Sequence, residues 1–253
     1  MSLTVLQQAI RQKKTPLALG LCPDTDKLEK TALYRRFTEL YGSTPQALAE
    51  TMRYQGGQVI EAVCPLLPAA VLEADCYLRC GSVGMEVLES LAALCRGRGL
   101  YTIIDCRTTR PAVWLHVADG VTVLPYVGGS CCEVAEDESV FAVLRTGEKG
   151  AGDVQNLAAG DRKLYQAIGE QMARRGAGMV IETGYSLDIK ELRRRLNGSF
   201  FLLKNCDGDN ALPAFDDYGH GALVVESTIQ YAADPAAAAA EAIRTMKRTV
   251  QVL

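Results

Sequence analysis

Short apolar runs alternate with amphipathic stretches along the whole chain, the pattern of an α/β fold. Residues 17–21 (LALGL) read as a buried strand that ends in the turn Cys22-Pro23-Asp24. Residues 27–41 carry a helical pattern. Thr44 before Pro45 has the form of an N-cap with proline at the first helical position, opening a helix that runs towards Glu61. Pro65 and Pro68 break any helix beyond it, and the pattern places the next strand at 74–79. Residues 84–97 repeat Leu88, Leu91, Ala92 and Cys95 at helical spacing. Strands follow at 100–105 (LYTIID), 120–125 (GVTVLP), 140–145 (VFAVLR), 177–182 (AGMVIE), 200–204 (FFLLK) and 222–226 (ALVVE). Helices are expected at 161–175 and 187–196, and Asp234-Pro235 caps a long alanine-rich helix at the end.

The count is eight strands, near residues 17, 74, 101, 121, 140, 178, 200 and 222. An open doubly wound sheet would alternate in the same way. The strand number, and the lack of a Gly-x-Gly-x-x-Gly after the first strand, favour a closed (β/α)8 TIM barrel. The expected organisation is a single domain over 1–253, with 1–16 an N-terminal helix and 234–253 a C-terminal helix.

Composition narrows the function classes. The net charge is -3 and no basic stripe is present, which argues against nucleic acid as a partner. Arg193, Arg194 and Arg195 form the densest basic cluster and read as a solvated helix face. No run of about 18 apolar residues offers a membrane span. The opening MSLTVLQQAIRQKKTP lacks the apolar core and cleavage site of a secretory signal, so a cytoplasmic protein is expected. Nine cysteines, an odd number, with no C-x-x-C and two histidines, fit buried free thiols better than disulfides or zinc. Cys76 and Cys80 come nearest to a ligand pair, but no second pair lies close in sequence, so no metal is expected.

In a barrel of this kind the active site lies at the C-terminal ends of the strands. Those ends offer Asp105, Cys106, Arg107 and Arg110, then Tyr126, then Arg145 and Thr146 with the loop GEKGAGDVQ that ends at Gln155, and then Lys204, Asn205 and Cys206. Arg107, Arg110, Arg145 and Lys204 have the charge to hold a phosphate or carboxylate. Arg107 or Lys204 beside Cys22, Cys106 or Cys206 would lower a thiol pKa and make a nucleophile. The glycine-rich 147–155 loop lacks the Gly-Lys-Ser/Thr of a Walker A sequence. Trp114 and His116 fit packing roles, and His220 stands before the last strand, at the end of the barrel away from catalysis.

These segments resemble the orotidine 5'-phosphate decarboxylase family, in its branch of longer chains. Gly20-Leu21-Cys22-Pro23-Asp24 resembles the family's Gly-Leu-Asp-Pro-Asp. DGVTVLPYVG over 119–128 resembles Asp-Ala-Val-Thr-Val-Asn-Pro-Tyr-x-Gly, and RTGEKGAGDVQ over 145–155 resembles Arg-Thr-Ser-Asn-Pro-Gly-Ala-x-Asp-x-Gln. The likeness runs in order over about residues 17–248. It implies decarboxylation of orotidine 5'-phosphate to UMP in pyrimidine biosynthesis, with no cofactor, a small phosphate-bearing ligand and a homodimer. It places Asp105 and Arg107 at the catalytic motif and Tyr126, Arg145, Thr146 and Gln155 in matching segments, and together with the rim charges Arg110 and Lys204 these are the expected ligand-binding residues.

The family's Asp-x-Lys-x-x-Asp reads Asp105-Cys106-Arg107-Thr108-Thr109-Arg110 here. The lysine that protonates the carbanion becomes Arg107, a poor proton donor with a pKa above about 12, and the aspartate that crosses the dimer interface becomes Arg110. No lysine stands between Lys30 and Lys149, the interval in which both family lysines fall. The ribose aspartate falls at Cys22, the phosphate loop after the seventh strand reads KNCDGDNA, and the phosphate arginine falls near Ile229. The chain after Arg110 is about a helix short. The expectation is therefore a decarboxylase-like barrel with weak or absent activity, or a repurposed barrel that binds another anion or a partner protein.

Overall fold

The computed structural model describes every residue except 183–185. Eight parallel strands close into a barrel: β1 (Leu17–Leu21), β2 (Ala69–Glu73), β3 (Tyr101–Thr108), β4 (Gly120–Val123), β5 (Ser139–Arg145), β6 (Gly178–Glu182), β7 (Phe201–Lys204) and β8 (Ala222–Glu226). Each strand pairs with its sequence neighbour, and β1 closes the ring on β8 through Leu17 opposite Val224. The expected TIM barrel is what the chain forms. Among the described residues no helix is long and apolar enough to cross a membrane.

Side chains alternate along each strand and divide the core in two. Leu17, Leu19 and Leu21 face outward to the helices, whereas Ala18, Ala69, Val71, Ile103, Phe141, Val143, Val180, Leu202 and Leu223 fill the barrel interior. Helix α1 (Leu3–Lys13) closes the bottom by driving Leu6 and Ile10 into the interior cluster. The Met1 carbonyl accepts hydrogen bonds there from Tyr101 and Ser139.

Three expectations are corrected. Residues 27–41 form two helices, α2 (Thr25–Leu28) and α3 (Ala32–Tyr41), because Thr31 caps the second: its hydroxyl accepts from the Tyr34 amide while donating to the Leu28 carbonyl. After α4 (Pro45–Val63), the second strand lies at Ala69–Glu73, and 74–78 form a short helix, α5 (Ala74–Leu78). The strand is apolar on both faces, so it shows no alternation, whereas 74–78 bury Ala74 and Tyr77 at helical spacing. Helix α6 (Ser82–Gly97) follows as expected, with Leu88, Leu91, Ala92 and Cys95 buried. The third correction lies at 161–175. Ala158–Ala159 and Arg162–Lys163 pair as an antiparallel ribbon around Gly160, whose φ of 71° suits the turn, and the helix starts at Leu164.

The outer layer is uneven. A short helix, α7 (Ala151–Gln155), and then α8 (Leu164–Ala173) follow β5; α9 (Ser186–Arg195) follows β6, the four-residue α10 (Gly208–Ala211) follows β7, and α11 (Pro235–Thr249) closes the chain. Between β3 and β4, and between β4 and β5, only 3-10 turns stand in place of helices. The short segment after Arg110 is one of these turns, Pro111–Val113.

Candidate active site

The interior alternation continues to the C-terminal rim and turns polar there. Two places beyond the inward-facing Val71, Ile103, Val180 and Leu202 stand Glu73, Asp105, Glu182 and Lys204. Lys204 sits at the centre, with Nζ 2.6 Å from Asp105 Oδ2 and 3.4 Å from both Glu73 Oε2 and Glu182 Oε1. Arg107 reaches across the mouth, and its Nη2 donates to Glu182 Oε1 at 2.7 Å. Five charged groups from four strand ends thus form one array in which carboxylates and cations alternate.

Local structure at the end of β3 builds this array. Pairing with β4 is irregular between Ile104 and Thr108, and Arg107 holds a φ of 44°, a strained value for a residue with a Cβ. Thr122 supports the bend, its hydroxyl accepting from the Cys106 and Arg107 amides and donating to Asp105 Oδ1 at 2.6 Å. Asp105, at 1% side-chain exposure, is thereby fixed from two sides. Burial works against the charge of Lys204, but Asp105, Glu73 and Glu182 outweigh it and raise its pKa above the ordinary lysine value. Burial likewise opposes the Arg107 charge, and Glu182 and Asp105 outweigh it.

A cavity of about 390 Å³ opens above the array. Its charged lining is Asp24, Lys27, Glu73, Arg107, Glu148, Glu182 and Lys204, four carboxylates to three cations. Each of those cations has a carboxylate partner: Lys27 with Asp24 at 3.8 Å, Arg107 with Glu182 and Lys204 with Asp105.

The other expected site residues lie outside this cavity. Arg145 follows an irregularity in β5 and turns to Asp188 of α9, with Nε 3.4 Å from Oδ2. Gln155 accepts from Arg145 and the Thr146 amide and donates to the Thr146 hydroxyl, so both ends of its amide are engaged within the loop. Tyr126 donates to the Leu144 carbonyl at 2.6 Å. Arg110 lines a separate outer cavity with Pro111, Cys132, Glu133 and Arg175. The structure gathers Asp105, Arg107 and Lys204, and separates them from Arg110, Tyr126, Arg145, Thr146 and Gln155.

The thiols depart from expectation. Burial pushes Cys106 up to about 12 and Cys206 up to about 11, and Cys22 is raised, first by its contact with Cys76. The group held below its usual value is Cys76, through that same contact. Cys22 Sγ and Cys76 Sγ lie 3.0 Å apart beside Glu73, although the two cysteines are 54 residues apart in sequence. Glu73 and Glu182 carry no motif, and their strands are buried on both faces, so only the register of each strand in the barrel marks them.

Comparison with known proteins follows the same line. No family model matches the chain. It is 26% identical over 210 residues to the orotidine 5'-phosphate decarboxylase of Thermomicrobium roseum, covering 75% of this chain and 70% of that one. It is 29% identical over 219 residues to that of Clostridium botulinum, covering 76% and 74%. The solved OMP decarboxylase of Leishmania donovani superposes with a TM-score of 0.79 at 24% identity over 98% of both chains, a likeness of fold. In barrel fold and in sequence over about three quarters of its length, this chain is similar to the orotidine 5'-phosphate decarboxylases.

Proposed function

We propose that this chain is a decarboxylase-family barrel with little or no orotidine 5'-phosphate decarboxylase activity, a non-catalytic or repurposed member of a pyrimidine-biosynthesis family. One observation carries the reading: every cation that lines the cavity already neutralises a carboxylate. A substrate with a phosphate and a carboxylate needs unpaired cations or aimed N–H groups to offset its charge. Here it would meet an excess of carboxylate. The same excess works against any other strongly anionic ligand and favours a neutral or cationic one.

A second reading keeps the reaction and moves the proton donor. Lys204 stands 2.6 Å from the retained Asp105, so a lysine does reach the site, from β7. Its raised pKa, with three carboxylates holding its proton, works against donation.

The experiment is an absorbance assay of purified protein with orotidine 5'-phosphate. The expected result is no turnover above the buffer rate. Turnover near that of ordinary family members overturns the first reading, and loss of that turnover in Lys204→Met establishes the second.

A further inference from the structure

We propose that Cys22, Cys76 and Glu73 form a binding site for a soft divalent cation of the zinc class, set in the wall of the central cavity. Two thiols and a carboxylate come from three elements, the end of β1, helix α5 and the end of β2, and their ligand atoms all lie within 4.8 Å of one another. Thiolate sulfur selects zinc-like metals over magnesium or calcium, and three protein ligands with an open fourth place are the ligand count of catalytic zinc sites.

The geometry needs little change. A tetrahedral cation with metal–sulfur bonds of about 2.3 Å holds its sulfurs roughly 3.7 Å apart. The sulfurs stand at 3.0 Å, so a side-chain rotation of well under 1 Å opens them around an ion. Cys22 is held for the task. Its amide donates to Gln230 Oε1, and its carbonyl accepts from Gln230 Nε2 and the Tyr231 hydroxyl. Glu73 holds Oε2 3.4 Å from Lys204 Nζ, which makes Lys204 an outer partner of the site.

Binding displaces the thiol protons, so the ion's two positive charges replace two protons and the site takes up the metal with no net change in charge. Because Cys22 and Glu73 both line the cavity, the fourth position opens onto it, where water or an oxygen or nitrogen donor of a small ligand would complete the coordination. This departs from the metal-free chemistry that the family resemblance implies. It stands whether or not the barrel decarboxylates, because its readout is metal uptake and not turnover.

The test uses full-length protein, purified under reductant with chelator and then dialysed free of it. Titration with cobalt(II) should reach one equivalent with a sulfur-to-cobalt charge-transfer band, and zinc should displace it. Cys22→Ser and Cys76→Ser should each abolish the band and weaken uptake more than about tenfold, the least that loss of even an outer partner costs. Cys206→Ser, at the same rim but outside the cluster, should leave both unchanged. In the unaltered protein, zinc should shield Cys22 and Cys76 from alkylation, a readout that needs no variant to fold. Cobalt bound without thiolate character, uptake unchanged in the two serine variants, or recovery of the pair as a disulfide that takes up no metal would each overturn the proposal.

Discussion

Lys204 joins three carboxylates on one ammonium and is almost fully buried. Removing one partner of a buried ion pair leaves the others uncompensated, at about 3–5 kcal/mol. Lys204→Met should therefore lower stability by that order in urea unfolding, although methionine fills most of the same space. The pH dependence has a definite sign. A lysine whose pKa is raised by folding contributes fully below its unfolded value, about 10.4, and the contribution is lost as pH rises through the higher folded value. The difference in stability between the parent and Lys204→Met should stay level through neutral pH and shrink above about pH 10.4. Asp105, Arg107 and Lys204 were legible in the sequence as charged strand ends. That Lys204 stands against Asp105 was not, because it arrives from a strand 99 residues further along the chain. The Cys22–Cys76 pair was hidden because only the parallel pairing of β1 with β2 brings the ends of those strands together.

The elements show where periodic reading fails. The second strand is apolar on both faces and short, so nothing in its pattern separates it from the segment that follows. That segment, α5, packs on α6 at Gly84, where a Cβ would stand 1.9 Å from the Tyr77 carbonyl oxygen. Gly84→Ala should destabilise by about 1–3 kcal/mol, since backbone must move. Gly97 is at the far end of the same helix with nothing near its missing Cβ, and Gly97→Ala should stabilise by about 0.4–1 kcal/mol. Thermal or urea unfolding of the two variants measures both signs. If Gly84→Ala proves neutral, α5 does not lie against α6 as described. The strands at 120–123 and 222–226 were legible because turn residues bracket each apolar run, while the break before Thr31 turned on one hydroxyl bond that no periodicity reports.

At the scale of the whole molecule, barrel order was legible from eight apolar runs, and the likeness to the decarboxylases from a few loop motifs. The charge balance at the mouth was not, because it depends on which side chains turn inward. Irregular pairing in β3 keeps Arg107 over the axis, and irregular pairing in β5 accompanies the departure of Arg145 from it. The result is a barrel whose cations are spent on its own carboxylates. The most direct measurement is a single-turnover experiment, with protein in excess over carboxyl-labelled orotidine 5'-phosphate, following release of labelled carbon dioxide. The account predicts release at the rate of buffer alone, unchanged in Lys204→Met. A single turnover at the rate of ordinary family enzymes would contradict it.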